Sequence, residues 1–179
     1  MSDATLVRGA IQPGEIAWSP SSALRPGPEM QTLKKFHFDC EWTGRVQPGG
    51  MGPGSPAMAA RGRATFRPIM DGDWLVGDFE QEQFADGALL ITWKAHYVVG
   101  WNPHEHEYKI TYVDNNGAAT LMSGWMEGNR FIIETSGESS VKFQMVWEMI
   151  AGGKVRWANR CSVSGGPWTL IEEYVCSPR

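Results

Sequence analysis

The sequence predicts an all-β protein: an antiparallel up-and-down β-barrel of about ten strands, with one short N-terminal helix and an extended N-terminal arm. Three observations predict it. From residue 37 onward, runs of alternating polarity follow one another, each closed by a turn signal. The connections are too short for crossover helices, so neighbouring strands must pair antiparallel. So many sequential hairpins without a second helix favour closure, because a closed sheet has no unpaired edge. A two-sheet sandwich is the alternative architecture.

The elements follow in order. Residues 1–28 are rich in proline and glycine and have no steady period, so they read as an extended arm ahead of a single barrel domain at 29–179. Ile16 and Trp18 are the residues that would pin this arm to the body or to a second subunit, which makes a homodimer an expectation. "PEMQTLKKF" reads as the one helix: Pro28 suits its first turn, and Met30, Leu33 and Lys34 recur at helical spacing. "HFDCEWTGRV" then alternates Phe38, Cys40 and Trp42 against His37, Asp39 and Glu41, with the second set expected to face water or the helix. Residues 47–62, "QPGGMGPGSPAMAARG", read as a long loop, either a plain hairpin connection or a lid over a cavity mouth.

The remaining strands are "RATFRPIM", "WLVGDFEQEQF", "ALLITWKAHYVVGW", "YKITYVD", "AATLMSGWM", "RFIIET", "VKFQMVWEMI", "KVRWANRCSV" and "WTLIEEYVCS". Between them stand turn signals such as "ADG", "NNG", "EGN" and "AGG". The stretch "NPHEHE" falls between two of these strands. Asn102 and Pro103 are ordinary turn residues, so His104, Glu105 and His106 are expected at a barrel end. Two histidines without a third fixed ligand make a weak metal signal, and no metal site is expected.

Composition narrows the function. The chain has 179 residues, 42% of them apolar, and a formal net charge of −4. That is a globular composition without a basic stripe, so neither nucleic acid nor an anionic membrane surface is an expected partner. No run approaches the length of a membrane span, and "MSDATLVRGA" does not resemble a secretory signal. Cys40, Cys161 and Cys176 are odd in number and widely spaced, which suits reduced thiols and a cytoplasmic location; a Cys161–Cys176 disulfide is the disfavoured alternative. No nucleophile elbow, phosphate loop or dinucleotide fingerprint is present, and no cofactor is expected.

The unusual feature is nine tryptophans. Inside a barrel they either fill the core or line a cavity for a small hydrophobic or aromatic molecule. The expected ligand-binding residues are Trp42, Trp74, Tyr97, Trp125, Trp147, Trp157, Asn159 and Tyr174. The alternative is a cofactor-independent enzyme of lyase, isomerase or cyclase type, acting on a hydrophobic or phenolic substrate in the same cavity. Its candidate acids and bases are His96, mid-strand on a face with Lys94 and Val98; Glu80, which with Asp78 and Glu82 forms either an inward cluster of mutually perturbed acids or an outward solvated stripe; and Glu172, among aromatic and apolar neighbours. Glu172 is expected to share a face with Trp168, Leu170 and Tyr174, and Asn159 with Trp157 and Cys161.

A family resemblance adds to this. "VVGWNPHEHEYKITYVDNNGAATLMSGWMEGNRFIIET" resembles the core of an uncharacterised bacterial family of unknown function. That family has a "GYD" strand end before a turn, then a tyrosine, a "W-x-D" segment and a "G-x-x-x-G" element. The matching positions are Gly100, Trp101 and Asn102, then Tyr108, Tyr112, Asp114, Gly124 and Gly128. "LKKFHFDCEWTGRV" resembles the family's opening "L-x-G-x-W-x-G" strand through Leu33, Trp42 and Gly44. Asn102 replaces the family's aspartate, and Cys40 stands where a glycine is usual. The resemblance implies a lipocalin-like (calycin-type) barrel. It brings no activity and no catalytic residues.

Overall fold

Ten strands run in chain order around a closed ring, each pairing antiparallel with its sequence neighbours, and β1 closes on β10. The structure is a computed structural model and describes residues 27–179. The expected arm lies almost wholly outside the described residues. The strands are β1 (Cys40–Val46), β2 (Met58–Ile69), β3 (Trp74–Ala85), β4 (Ala88–Asn102), β5 (Glu107–Asp114), β6 (Ala119–Glu127), β7 (Arg130–Thr135), β8 (Val141–Met149), β9 (Val155–Val163) and β10 (Thr169–Pro178). Among the described residues, no helix is long and apolar enough to cross a membrane.

The turns follow from their residues. Asp86 and Gly87 both take positive φ, which suits the tight two-residue connection between β3 and β4. In the β4–β5 turn, Asn102 Oδ1 accepts the backbone N–H of His104, and His106 adopts φ 53°. Both are turn chemistry, as the sequence suggested. Among the described residues, no three His, Cys, Asp or Glu side chains gather to hold a metal ion.

Helix α1 (Pro28–Leu33) packs against one end of the barrel and buries Met30 and Leu33. Tyr108 pins it by donating its hydroxyl to the backbone carbonyl of Glu29, 2.7 Å away. His37 meets the helix, through the Leu33 carbonyl, but does not face water. It precedes β1 and sits in the core, 4% exposed. Its ring stacks on Trp147, with Phe66, Tyr97 and Phe131 edge-on around it. The chain leaving α1 folds inward before the strand alternation begins, so the period of two does not apply to His37.

The loop between β1 and β2 is shorter than the glycine-rich stretch suggested. Residues 58–62 belong to β2, where Gly62 pairs with Trp42 and Ala60 with Gly44. These glycines have a packing reason. A Cβ at Gly62 would strike the Trp42 indole, and one at Gly44 would strike the Tyr174 ring. Each bare strand segment therefore lets an aromatic plate lie flat on the inner wall.

The candidate functional site at the barrel mouth

The inner wall carries a chain of hydrogen bonds whose direction is fixed at one end. The Trp42 indole can only donate, and it donates to Gln81 Oε1 at 3.0 Å. Gln81 therefore turns its Nε2 toward Tyr174 Oη, at 2.8 Å, and Glu172 Oε2, at 3.3 Å. The Tyr174 hydroxyl donates to the same Glu172 oxygen. Asn159 Nδ2 donates to the other, Oε1, at 3.2 Å. Glu172 Oε2 thus accepts from both Tyr174 and Gln81, and Oε1 from Asn159.

Glu172 is 5% exposed and has no cationic partner among the described residues. Burial pushes its carboxyl above the ordinary carboxylate range, and the bonds from Tyr174, Asn159 and Gln81 pull the other way without cancelling the effect. Tyr174 is raised as well, first by burial and then by the neighbouring Glu172.

A β-bulge places this carboxyl. In β10, Leu170 lies opposite Arg160 and Glu172 opposite Asn159, so Ile171 is an extra residue and strand parity reverses there. Leu170 consequently faces outward, while Glu172 and Tyr174 face inward. The expectation that Glu172 shares a face with Leu170 and Trp168 fails for this reason, and Trp168 is 37% exposed. The Ile171 carbonyl accepts the Gln47 N–H at 2.7 Å, which ties the bulge to the β1–β2 loop.

Two spaces lie inside the barrel. The deeper is a small void of about 30 Å³, lined by Trp42, Gln81, Tyr97, Trp147, Trp157 and Tyr174 among others. That is room for a water molecule or two, not for an organic ligand. The plates around it fill one another's space. Trp157 stacks on Tyr174 at 5.1 Å and 6°, Trp42 lies 6.1 Å from Tyr174, and Trp147 meets Trp157 at 6.2 Å. The second space is a cavity of about 600 Å³ at the barrel end opposite α1, under the loop residues Gly49 to Pro53. Its wall includes Gln83, Trp93, Tyr112, Asp114, Phe143, Met145, Asn159, Cys161, Ile171 and Glu172. Trp93, Tyr112 and Met145 line both spaces and stand between them.

The sequence-predicted site residues divide accordingly. Asn159 and Glu172 are together at the cavity, and Tyr174 supports Glu172 from below. Trp42, Tyr97, Trp147 and Trp157 are inward but belong to the packed interior. Trp74 and Trp125 are corrections: they stand on the outer wall. Trp74 lies over Gly100, where a Cβ would meet its indole, and Trp125 is 38% exposed. His96 and Glu80 are also outside. His96 Nδ1 meets Asp78 Oδ1 at 2.7 Å, and Arg63 meets Glu80 at 2.8 Å. Strand alternation that aims Phe79, Gln81 and Gln83 inward turns Asp78, Glu80 and Glu82 to water, and His96 pairs across with Asp78 on that outer face. Neither His96 nor Glu80 can meet Glu172.

Sequence reasoning missed Gln81, Gln83, Trp93, Tyr112 and Asp114. The signal for the glutamines was present in "DFEQEQF", where they share the face of Phe79. Gln81 and Gln83 are 1% and 2% exposed. Cys161 faces the cavity beside Asn159, while Cys40 and Cys176 are buried; all three thiols are free. Cys161 pairs with Thr169 and Cys176 with Val155, so the two do not face each other across the sheet.

A family model described as "Protein of unknown function (DUF1579)" matches residues 25–174. The chain belongs to that family. The family has no assigned function, as the sequence motifs implied, and the matched span reaches from the start of α1 to Tyr174 in β10. This DUF1579 barrel is also similar to the crystal structure of Rv2717c from M. tuberculosis, with a TM-score of 0.59 and 14% identity, covering 86% of this chain and 99% of that one. At that identity the likeness shows the fold. No curated protein matches the chain.

Proposed function

We propose that this protein binds a small, largely apolar molecule in the mouth cavity, where Gln83, Asn159 and Glu172 read its polar group. One observation carries the proposal: the buried Gln83 and Glu172 and the half-buried Asn159 converge on a largely apolar cavity of about 600 Å³ that Asp114 also borders. Binding sites for small molecules have that size and that mixture. Unpaired buried polar atoms are costly, and two of these residues keep one each, Gln83 Oε1 and Asn159 Oδ1. A ligand that supplies the missing bonds recovers that cost.

Acid/base catalysis is the second reading. It is favoured by the Glu172 carboxyl held by Tyr174 at a cavity wall, and Glu172 would act without His96 or Glu80. The free thiols agree with a cytoplasmic location, which belongs to the same proposal. So does a homodimer through the arm. A monomer by light scattering, unchanged on removing residues 1–27, removes that part.

The test uses N-phenylnaphthylamine, a neutral probe that brightens in apolar sites. It should bind with one-to-one saturation, and N-ethylmaleimide on Cys161 should abolish the binding. No brightening, or brightening indifferent to the blocked thiol, rejects the mouth as the site.

A further inference from the structure

The mouth cavity is one-sided in its polarity. Among the described residues that line it there is no lysine, arginine or histidine. Its ionisable groups include two carboxyls, Asp114 and Glu172. Burial works against the charge on Asp114, but the backbone N–H groups of Ala118 and Asn116 and the side chains of Trp93 and Tyr112 together hold its carboxyl below the usual range. Those four donors occupy both of its oxygens: Asn116 and Ala118 on Oδ1, Trp93 and Tyr112 on Oδ2. Asp114 therefore supplies fixed negative charge rather than a free acceptor.

The free atoms are also acceptors. Gln83 Oε1 and Asn159 Oδ1 are buried carbonyl oxygens with no partner among the described residues. Two of the amide donors nearby are already spent: Gln81 Nε2, whose direction the Trp42 indole fixes, on Tyr174 and Glu172, and Asn159 Nδ2 on Glu172 Oε1. A ligand carboxylate or phosphate would meet acceptors and negative charge. A ligand that brings several N–H groups and a positive charge would satisfy both. The aromatic faces of Trp93, Tyr112 and Phe143 accept the carbon body next to a cation.

Resting on the mouth as the binding site, we infer that the ligand is a cationic amine with an apolar or aromatic tail. Its N–H groups donate to Gln83 and Asn159, its charge is balanced by Glu172 and Asp114, and its tail lies along Trp93 and Phe143.

The test is calorimetric titration of the full chain at neutral pH with three probes of one shape: phenylbutylamine, phenylbutanol and phenylbutyrate. Each is run with Cys161 free and with Cys161 blocked by N-ethylmaleimide. A hydrogen bond to a charged group is worth enough that the amine should bind about 10- to 100-fold tighter than the alcohol. The butyrate should bind weakest. Asn159→Leu and Gln83→Leu should each shrink the gap between amine and alcohol, and circular dichroism checks that both fold. If alcohol or butyrate binds as tightly as the amine and the blocked thiol still abolishes binding, the amine inference falls and the mouth stands as the site. If no probe binds, or binding ignores the blocked thiol, both fall together.

Discussion

His37 couples the stability of the fold to pH. It is buried among four aromatic rings, Nδ1 lies 3.3 Å from the Leu33 carbonyl, and Nε2 has no partner among the described residues. Burial lowers its pKa from 6.5 to about 3, against the small opposing pull of Leu33. A base whose folded pKa is depressed is protonated first in the unfolded chain. Stability should therefore be complete above pH 6.5 and fall as pH drops from there toward 3. The gap corresponds to about 5 kcal/mol. His37→Phe should move the acid-unfolding midpoint to lower pH, followed by tryptophan fluorescence. An unchanged midpoint would show that other groups set the acid limit.

Glu172 acts in the opposite sense. Its folded pKa is raised by burial, so its neutral form is preferred in the fold and its charge in the unfolded chain. The stability this gives is whole below the ordinary value of 4.5 and is lost as pH rises through the folded value. Glu172→Gln keeps the shape and removes the titration. Between pH 4.5 and pH 8 its melting temperature should fall less than that of the natural protein, and an equal fall would place the charge elsewhere.

At the scale of elements, two devices shape the site. The first is the pair of bare positions, Gly44 and Gly62, on which Tyr174 and Trp42 lie. At Gly62 a Cβ would also meet the backbone carbonyl of Glu80, so the strand cannot simply yield. Gly62→Ala should cost about 1–3 kcal/mol by overpacking, read from urea unfolding, and should shift the Trp42 signal. A neutral result would mean that the indole is free to leave the wall. The second device is the Ile171 bulge, which turns Glu172 into the barrel. Helix α1 is held more simply: Tyr108→Phe removes one bond to Glu29 and should cost about 1 kcal/mol, measured in the same way.

These elements also show what the sequence made legible. Alternation and turn residues determine strand number, pairing and the ring, because each local signal agrees with its neighbours. Asn159, Glu172 and Tyr174 were readable as polar groups among aromatics. The outward turn of His96, Glu80, Trp74 and Trp125 was not, because a one-residue slip exchanges the two faces of a strand and composition does not fix that register. The bulge at Ile171 hid the true neighbours of Glu172 for the same reason. The burial of His37 was not legible because it lies ahead of β1, where the strand alternation does not apply.

For the whole molecule, the tryptophan content has two meanings. Four inward indoles line the small void: Trp42, Trp93, Trp147 and Trp157. Trp42, Trp147 and Trp157 stabilise the barrel by filling it with stacked plates, leaving room for little more than water. Trp93 alone of the four also borders the ligand-sized mouth. Structure and proposed function thus divide the barrel along its axis, with a packed half near α1 and an open half under the glycine-rich loop. The direct measurement is the set of indole N–H resonances in a nitrogen–proton correlation spectrum, assigned by single Trp→Phe variants and followed during titration with N-phenylnaphthylamine. Binding at the mouth predicts that Trp93, whose N–H is bonded to Asp114, shifts most, while Trp74 and Trp125 on the outer wall stay still. Shifts confined to Trp74 or Trp125, with Trp93 unmoved, would contradict it.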